Sequence, residues 1–230
     1  MGRKVPRWEA ELWSYLSKGS GQHCPIYNRC RVRLKSSLCA DDNIEFLEKL
    51  YRDDFFRAEE YSSLGNVACT VVSGMAKSLD MLAQKYLQKG NFCCPPVPVE
   101  LALLSDEQHV IDVREVPLKN HSGAVWRLDN EWIIYLNSND SLARQRFTLF
   151  HEAFHILAHK ATPSPVFSRK GLECGSFNEL LADYFASCIL MPGKCLREKW
   201  AEVADLDKMA ELFIVPKAAM WLQLKLLGLL

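Results

Sequence analysis

Five consecutive residues, His151-Glu152-Ala153-Phe154-His155, combine types and spacing suited to metal chemistry. On a helix, residues four apart are separated by about 400°, so both imidazoles project from nearly one face, about 6 Å apart along the axis. Two rings so placed can converge on one Zn2+ at about 2.0–2.1 Å each. Glu152 falls on the adjoining face, within reach of a water at the metal without taking a ligand position. A catalytic zinc needs a third protein ligand and one open position. Glu179-Leu180-Leu181-Ala182-Asp183 is an ExxxD pair that again shares one helical face. Glu179 is the candidate third ligand. Asp183, one turn on, can accept a hydrogen bond from the non-liganding N–H of a bound histidine, fixing its tautomer and raising its basicity.

The competing reading makes these residues a solvated polar stripe on two amphipathic helices. The surroundings argue against it: Phe147, Leu149, Phe150, Phe154, Ile156 and Leu157 flank the first set, and Leu180, Leu181, Phe185 and Ile189 flank the second. Ionisable groups set among such residues are costly unless a metal or tight pairing compensates them. His159 continues the i, i+4 series, but eight residues of helix place it about 12 Å from His151, too far to share one tetrahedral ion. It is read as a helix-end residue. His23, His109 and His121 carry no spacing argument in this site. The arrangement is that of the zincin metallopeptidases.

Several elements must position these residues. Ser141 opens a helical pattern that runs to about His159 and ends before Pro163 and Pro165. A second helix is expected from about Phe177 to Leu190, closed by Pro192-Gly193. Ahead of them, Val110–Val116 reads as a strand, and Ala124–Leu128 and Trp132–Asn137 read as a hairpin across Asp129-Asn130-Glu131. Trp132–Asn137 is expected to be an edge strand. Three prolines in Pro95-Pro96-Val97-Pro98 mark a loop, and a helix over Met75–Gln88 is expected to stop at Gly90. Earlier helical patterns cover Trp8–Leu16 and Ile44–Phe56, the latter capped by Asp41 or Asp42. Two short helices, about Asp205–Phe213 and Pro216–Leu227, close the sequence, joined by Ile214-Val215.

The chain has 230 residues, 49% hydrophobic and 24% charged, with 28 basic and 28 acidic side chains. Such a balance belongs to an ordinary globular protein, and a net charge of zero argues against nucleic acid or an anionic membrane as the main partner. The neutrality hides an asymmetry, since residues 1–40 carry a net +6 and residues 41–60 a net −5. These neighbouring blocks can pair with each other. The first twenty residues hold no apolar stretch of signal-peptide length, and no window reaches the roughly 18 apolar residues of a membrane span. The expected compartment is therefore the reducing cytoplasm, where nine cysteines act as thiols or metal ligands rather than as disulfides. Cys174, Cys188 and Cys195 read as core thiols. His23, Cys24, Cys30 and Cys39 form a cluster fit for a second, structural Zn2+, with Cys69 as a substitute ligand, or for an iron–sulfur cluster on the thiolates. Plain thiols or a redox sensor remain open alternatives, because no CxxC pair is present. Arg29, Arg31, Arg33 and Lys35 within this segment are either a nucleic-acid contact or a solvated face.

The run Arg146–His159 is similar to the signature of the ImmA/IrrE family of metallo-endopeptidases, as is Glu179–Pro192. The hairpin ending Ile133-Ile134-Tyr135-Leu136-Asn137, the Pro95-Pro96-Val97 opening, and the closing Met209–Ala219 and Leu226–Leu229 segments resemble the same family. The resemblance covers about residues 82–230. It departs at Ala153-Phe154, where the family commonly carries a small residue; Phe154 faces away from the metal, so altered packing is expected rather than lost activity. The resemblance implies a cytoplasmic zinc peptidase, several of whose relatives cut a helix-turn-helix transcriptional repressor. It places zinc on His151, His155 and Glu179, makes Glu152 the proton carrier, and implies a protein substrate of the kind of such a repressor.

The resulting expectation is an α+β fold: a mostly helical, zincin-like peptidase domain with a small antiparallel sheet. A helical, Cys-containing module fills residues 1–80, the peptidase core 82–195, and a helix-turn-helix-like tail 196–230. Substrate is expected to lie along the edge strand by β-augmentation. Tyr135, Tyr184 and Arg144 are candidates for stabilising the oxyanion. The alternative function is a transcriptional regulator or metal or redox sensor that keeps the zincin core as a non-catalytic scaffold. The terminal helix pair carries only Lys208, Lys217 and Lys225 amid Leu, Met and Trp, which suits protein docking and makes direct nucleic-acid binding unexpected. An intact Glu152 favours the enzyme.

Overall fold

A computed structural model describes residues 66–92, 95–106, 108–119, 121–128, 131–160 and 176–230. The expected helices Trp8–Leu16 and Ile44–Phe56, the cluster His23, Cys24, Cys30 and Cys39, and Cys174 lie outside the described residues. The described chain runs α1 (Asn66–Lys89), a 3-10 helix (Val99–Ser105), β1 (Val110–Val116), β2 (Gly123–Leu128), β3 (Glu131–Asn137), α2 (Leu142–Lys160), α3 (Ser176–Leu190), α4 (Gly193–Val203), α5 (Leu206–Phe213) and α6 (Lys217–Leu226). The fold is α+β, as expected. No helix among the described residues is long and apolar enough to cross a membrane.

The sheet corrects two expectations. It is mixed rather than antiparallel, in the order β1-β3-β2. β3 pairs antiparallel with β2, from Gly123↔Leu136 to Leu128↔Glu131, and parallel with β1, from Val110↔Glu131 to Val116↔Asn137. Trp132–Asn137 is therefore the central strand, and β1 and β2 are the edges. The cause is the link between β1 and β2, which passes across the end of β3 instead of turning back beside β1. Asn137 holds that crossing. Its Oδ1 accepts from Leu118 N at 3.1 Å, and its Nδ2 donates to Leu118 O at 3.0 Å and His121 O at 3.1 Å. A buried amide that meets this many backbone groups fixes a connection that would otherwise leave them unpaired.

Alternation along β3 sends Trp132, Ile134 and Leu136 into the core, against α2. Tyr135 belongs to the other face, beside Arg114. Helix α1 crosses residues 80–82 without a break, and Leu79, Leu82, Ala83 and Tyr86 join the same core. It begins earlier than its periodicity suggested and ends on a Schellman arrangement: Phe92 N donates to Leu87 O at 3.0 Å and Asn91 N to Gln88 O at 3.2 Å. The left-handed residue there is Asn91, at φ 50°, rather than Gly90. Gly90 is needed for another reason, since a Cβ would overlap the side chain of Leu101.

Pro192-Gly193 closes α3 and also opens α4, a helix that the sequence reading did not anticipate. Asp205 caps α5, its side chain accepting from Lys208 N at 2.9 Å. Met209, Phe213, Val215, Met220 and Leu224 carry α5 and α6 into the common core. Ile214, between them, sits at φ 52°, an uncommon conformation for a β-branched residue.

Candidate functional site

Helix α2 owes its start to Ser141, whose Oγ accepts from Arg144 N at 3.3 Å. Two of its first-turn side chains then anchor it to the rest of the molecule. Gln145 Nε2 donates to Asn137 O at 3.0 Å, fixing the helix to the end of β3. Arg146 donates through Nη2 to Val97 O at 2.6 Å and through Nε to Ile214 O at 3.3 Å. Burial lowers the pKa of this guanidinium from its ordinary value, with Glu100 partly opposing the shift. It nevertheless remains a donor-only cation. Sequence reasoning missed all three roles of Asn137, Gln145 and Arg146, because their partners are backbone groups that the tertiary fold brings close.

The middle of α2 packs on α3 through aromatic rings. Phe154 is fully buried and stacks at a tilt on Phe185, with centroids 5.4 Å apart, and Tyr86 meets Phe185 edge-on at 6.4 Å. The bulk of Phe154 thus goes into the interface between helices, and its ring also meets that of His155, with centroids 6.4 Å apart. Cys188 is a buried thiol whose pKa burial pushes upward, and Cys195 is half-buried.

This packing brings His151 against Asp183. The His151 Nδ1–H donates to Asp183 Oδ1 at 2.7 Å. A carboxylate only accepts, so the hydrogen lies on Nδ1, and in the neutral ring Nε2 presents its lone pair. That Nε2 lies 3.1 Å from His155 Nε2, with the ring centroids 4.9 Å apart. Two nitrogens bound to one tetrahedral ion at about 2.05 Å would stand about 3.3–3.4 Å apart. The two imidazoles therefore fit a shared cation, and they do so without rearrangement of the helices.

Glu152 is buried, at 8% exposure. Edge strand β2 passes directly over it. A Cβ on Gly123 would overlap Thr148 Cγ2, lie 3.0 Å from Tyr135 O and 3.3 Å from Glu152 Oε1, so glycine is what allows the strand so close to the helix. Glu179 stands on α3 one turn before Asp183, and its side chain lies outside the described residues, as does that of His159. Helix α2 continues to Lys160, which keeps position 159 too distant from His151 to share its ion. Among the described residues, no group of three or more His, Cys, Asp or Glu side chains converges as a metal site. Of the oxyanion candidates, Arg144 Nε donates to Ser122 Oγ at 3.3 Å beside Gly123, whereas Tyr184 lines a separate cavity and Tyr135 lies across the sheet.

The sequence compares with known proteins in the same region. No curated protein is a significant match. Residues 106–225 match the family model of the IrrE N-terminal-like domain, a peptidase domain, from the loop before β1 to the last turns of α6. That match spans the sheet, both site helices and more than half of the chain, and the chain belongs to the IrrE N-terminal-like domain family.

Proposed function

We propose that the chain is a zinc-dependent endopeptidase. The observation that carries the reading is the pair of Nε2 atoms 3.1 Å apart, one of them oriented by Asp183, beside buried Glu152. In this reading His151, His155 and Glu179 hold the metal. When bound, zinc supplies a Lewis acid that polarises the scissile carbonyl and raises the acidity of water. Asp183 holds the His151 ring in one tautomer and increases its basicity. Glu152 removes a proton from the attacking water and delivers it to the leaving amine. Strand β2 offers its outer edge to an extended substrate, and Gly123 sets that edge close to Glu152.

A peptidase domain acts on a protein or peptide. The substrate proposed is a helix-turn-helix transcriptional repressor, cut in the cytoplasm as a regulatory step, and the support for this is the likeness of the His151 and Asp183 segments to the ImmA/IrrE signature. Residues 1–80 serve as a sensing or docking module, 82–195 as the peptidase core and 196–230 as a tail. Elemental analysis of protein purified without chelator tests the reading. Wild type should hold zinc, and Glu179→Ala should lose about one ion per chain. Wild type without metal would overturn the peptidase and promote the scaffold.

A further inference from the structure

On the far side of α3 from the histidines lies a cavity of about 710 Å³, bounded by α1, α3, α4 and α6. Tyr184 and Cys188 line it, at about 100° and 140° around the helix from Asp183, so it is distinct from the candidate metal centre. Its lining is divided by charge and depth. Among the inner groups are Asp80, half-buried, and Gln223, only 6% exposed. Among the described residues nothing hydrogen-bonds Gln223 Oε1, which is buried, and a buried acceptor without a donor is costly. The Asp80 carboxylate accepts from Gln84 Nε2 at 2.7 Å, makes no ion pair among the described residues, and has its pKa raised from the ordinary value by burial. At the exposed rim stand Lys77, Lys194 and Arg197, with Glu198. Among the described residues, no ion pair joins these five charged side chains to one another.

An interior that, among the described residues, leaves Gln223 Oε1 without a donor and Asp80 without an ion pair, below a rim with surplus cations, asks for a ligand of opposite polarity at its two ends. We propose that this cavity is a second binding site, for a small zwitterion of the short-peptide class, with its ammonium toward Asp80 and Gln223 and its carboxylate toward Lys77, Lys194 and Arg197. An ammonium offers three donors, enough for Gln223 Oε1 and the Asp80 carboxylate together. The rim cations accept a carboxylate without being desolvated. The volume suits a di- or tripeptide better than a single amino acid.

Calorimetry on the full chain with the dipeptide alanylalanine tests this, beside its N-acetylated and C-amidated forms. The free dipeptide should bind, and either blocked form should bind at least about tenfold more weakly, as should Asp80→Asn and the Lys194→Ala/Arg197→Ala double variant. Asp80→Asn is isosteric and removes a half-buried charge, so the fold persists; the rim variant alters only exposed positions. His151→Ala should bind as wild type does, which separates this site from the peptidase site whether or not the latter holds zinc. Binding lost in His151→Ala but kept in Asp80→Asn would overturn the proposal and put the peptide in the catalytic cleft. No heat at millimolar dipeptide would overturn it too, as would equal binding of the blocked forms or of a nucleoside monophosphate in place of the dipeptide.

Discussion

Among the described residues stand two histidine–aspartate pairs of identical length and opposite meaning. His109 Nδ1 meets Asp106 Oδ2 at 2.7 Å, and His151 Nδ1 meets Asp183 Oδ1 at 2.7 Å. The distance does not separate them; the surroundings do. The Asp106 side chain is 2% exposed and also accepts from Trp132 Nε1 at 3.1 Å and Gln108 N at 3.0 Å. The other nitrogen of His109 faces Arg127 Nη2 at 3.4 Å, a cation that excludes a metal. The Asp183 side chain is 45% exposed, and the other nitrogen of its histidine faces a second imidazole. The first pair is a polar brace between the loop before β1 and the start of β3. The second sets its other nitrogen 3.1 Å from His155 Nε2, a spacing that suits a shared cation. A His–Asp pair acquires chemical use from what its second nitrogen faces.

Substitutions can break this contrast from either side. The largest effect should come from Glu152→Gln, which keeps the shape of the buried side chain and removes its ability to carry a proton. Cleavage of a genuine substrate should fall by about 10²–10⁴-fold with metal content unchanged, measured as kcat/KM. Unchanged turnover would remove Glu152 from the reaction. Next is Asp183→Asn, which retains an acceptor and loses the charge that strengthens His151. Zinc affinity, measured by competition with a chromophoric chelator, should weaken by about 10–100-fold while thermal stability of the metal-free protein stays near wild type. Asp106→Asn or Asp106→Ala should reverse that pattern. Orphaning the Trp132 and Gln108 N–H groups should cost about 1–3 kcal/mol in urea unfolding, with zinc affinity unchanged. If Asp106 substitution weakened zinc binding while Asp183 substitution did not, the two pairs would have been assigned the wrong way round.

Much of the second pair was legible in sequence and almost none of the first. Helical phase alone put His151 and His155 on one face, and the ExxxD spacing put Asp183 where a neighbouring helix could meet them. These are local regularities, and a helix preserves them. Asp106 and His109 also have a helical spacing, but they lie in a loop, and Trp132 joins them only because β3 pairs in register with β1. Strand order was hidden for the same reason. A short loop and a β-rich run suggested a hairpin with an outer strand, whereas the position of β3 depends on one amide, Asn137, bonding to a link 16–19 residues earlier. Helix α4 was missed because Pro192-Gly193 reads equally as a stop and as a start. Left-handed Ile214 was illegible because nothing in its own chemistry favours that conformation.

Asp80 sharpens the comparison as a third carboxylate, one that has no histidine. Its partner is the neutral Gln84 amide, and desolvation raises its pKa above the ordinary 3.8. A folded-state value above the unfolded one means that the folded chain holds the proton more tightly. The associated stability is fully present below pH 3.8 and is lost as pH rises through the raised folded value. Near neutrality the ionised carboxylate is therefore a small liability, and Asp80→Asn should remove it. The variant should be slightly more stable than wild type at pH 7, by a rise in Tm of about 1–3 °C, and the difference should shrink as the pH falls toward the ordinary carboxylate range. Comparing the two proteins at each pH cancels every other titrating group. A variant less stable at neutral pH would mean that the charged Asp80 carboxylate already stabilises the fold. A dipeptide ammonium seated in the cavity should produce that same reversal, because it supplies to Asp80 a positive partner.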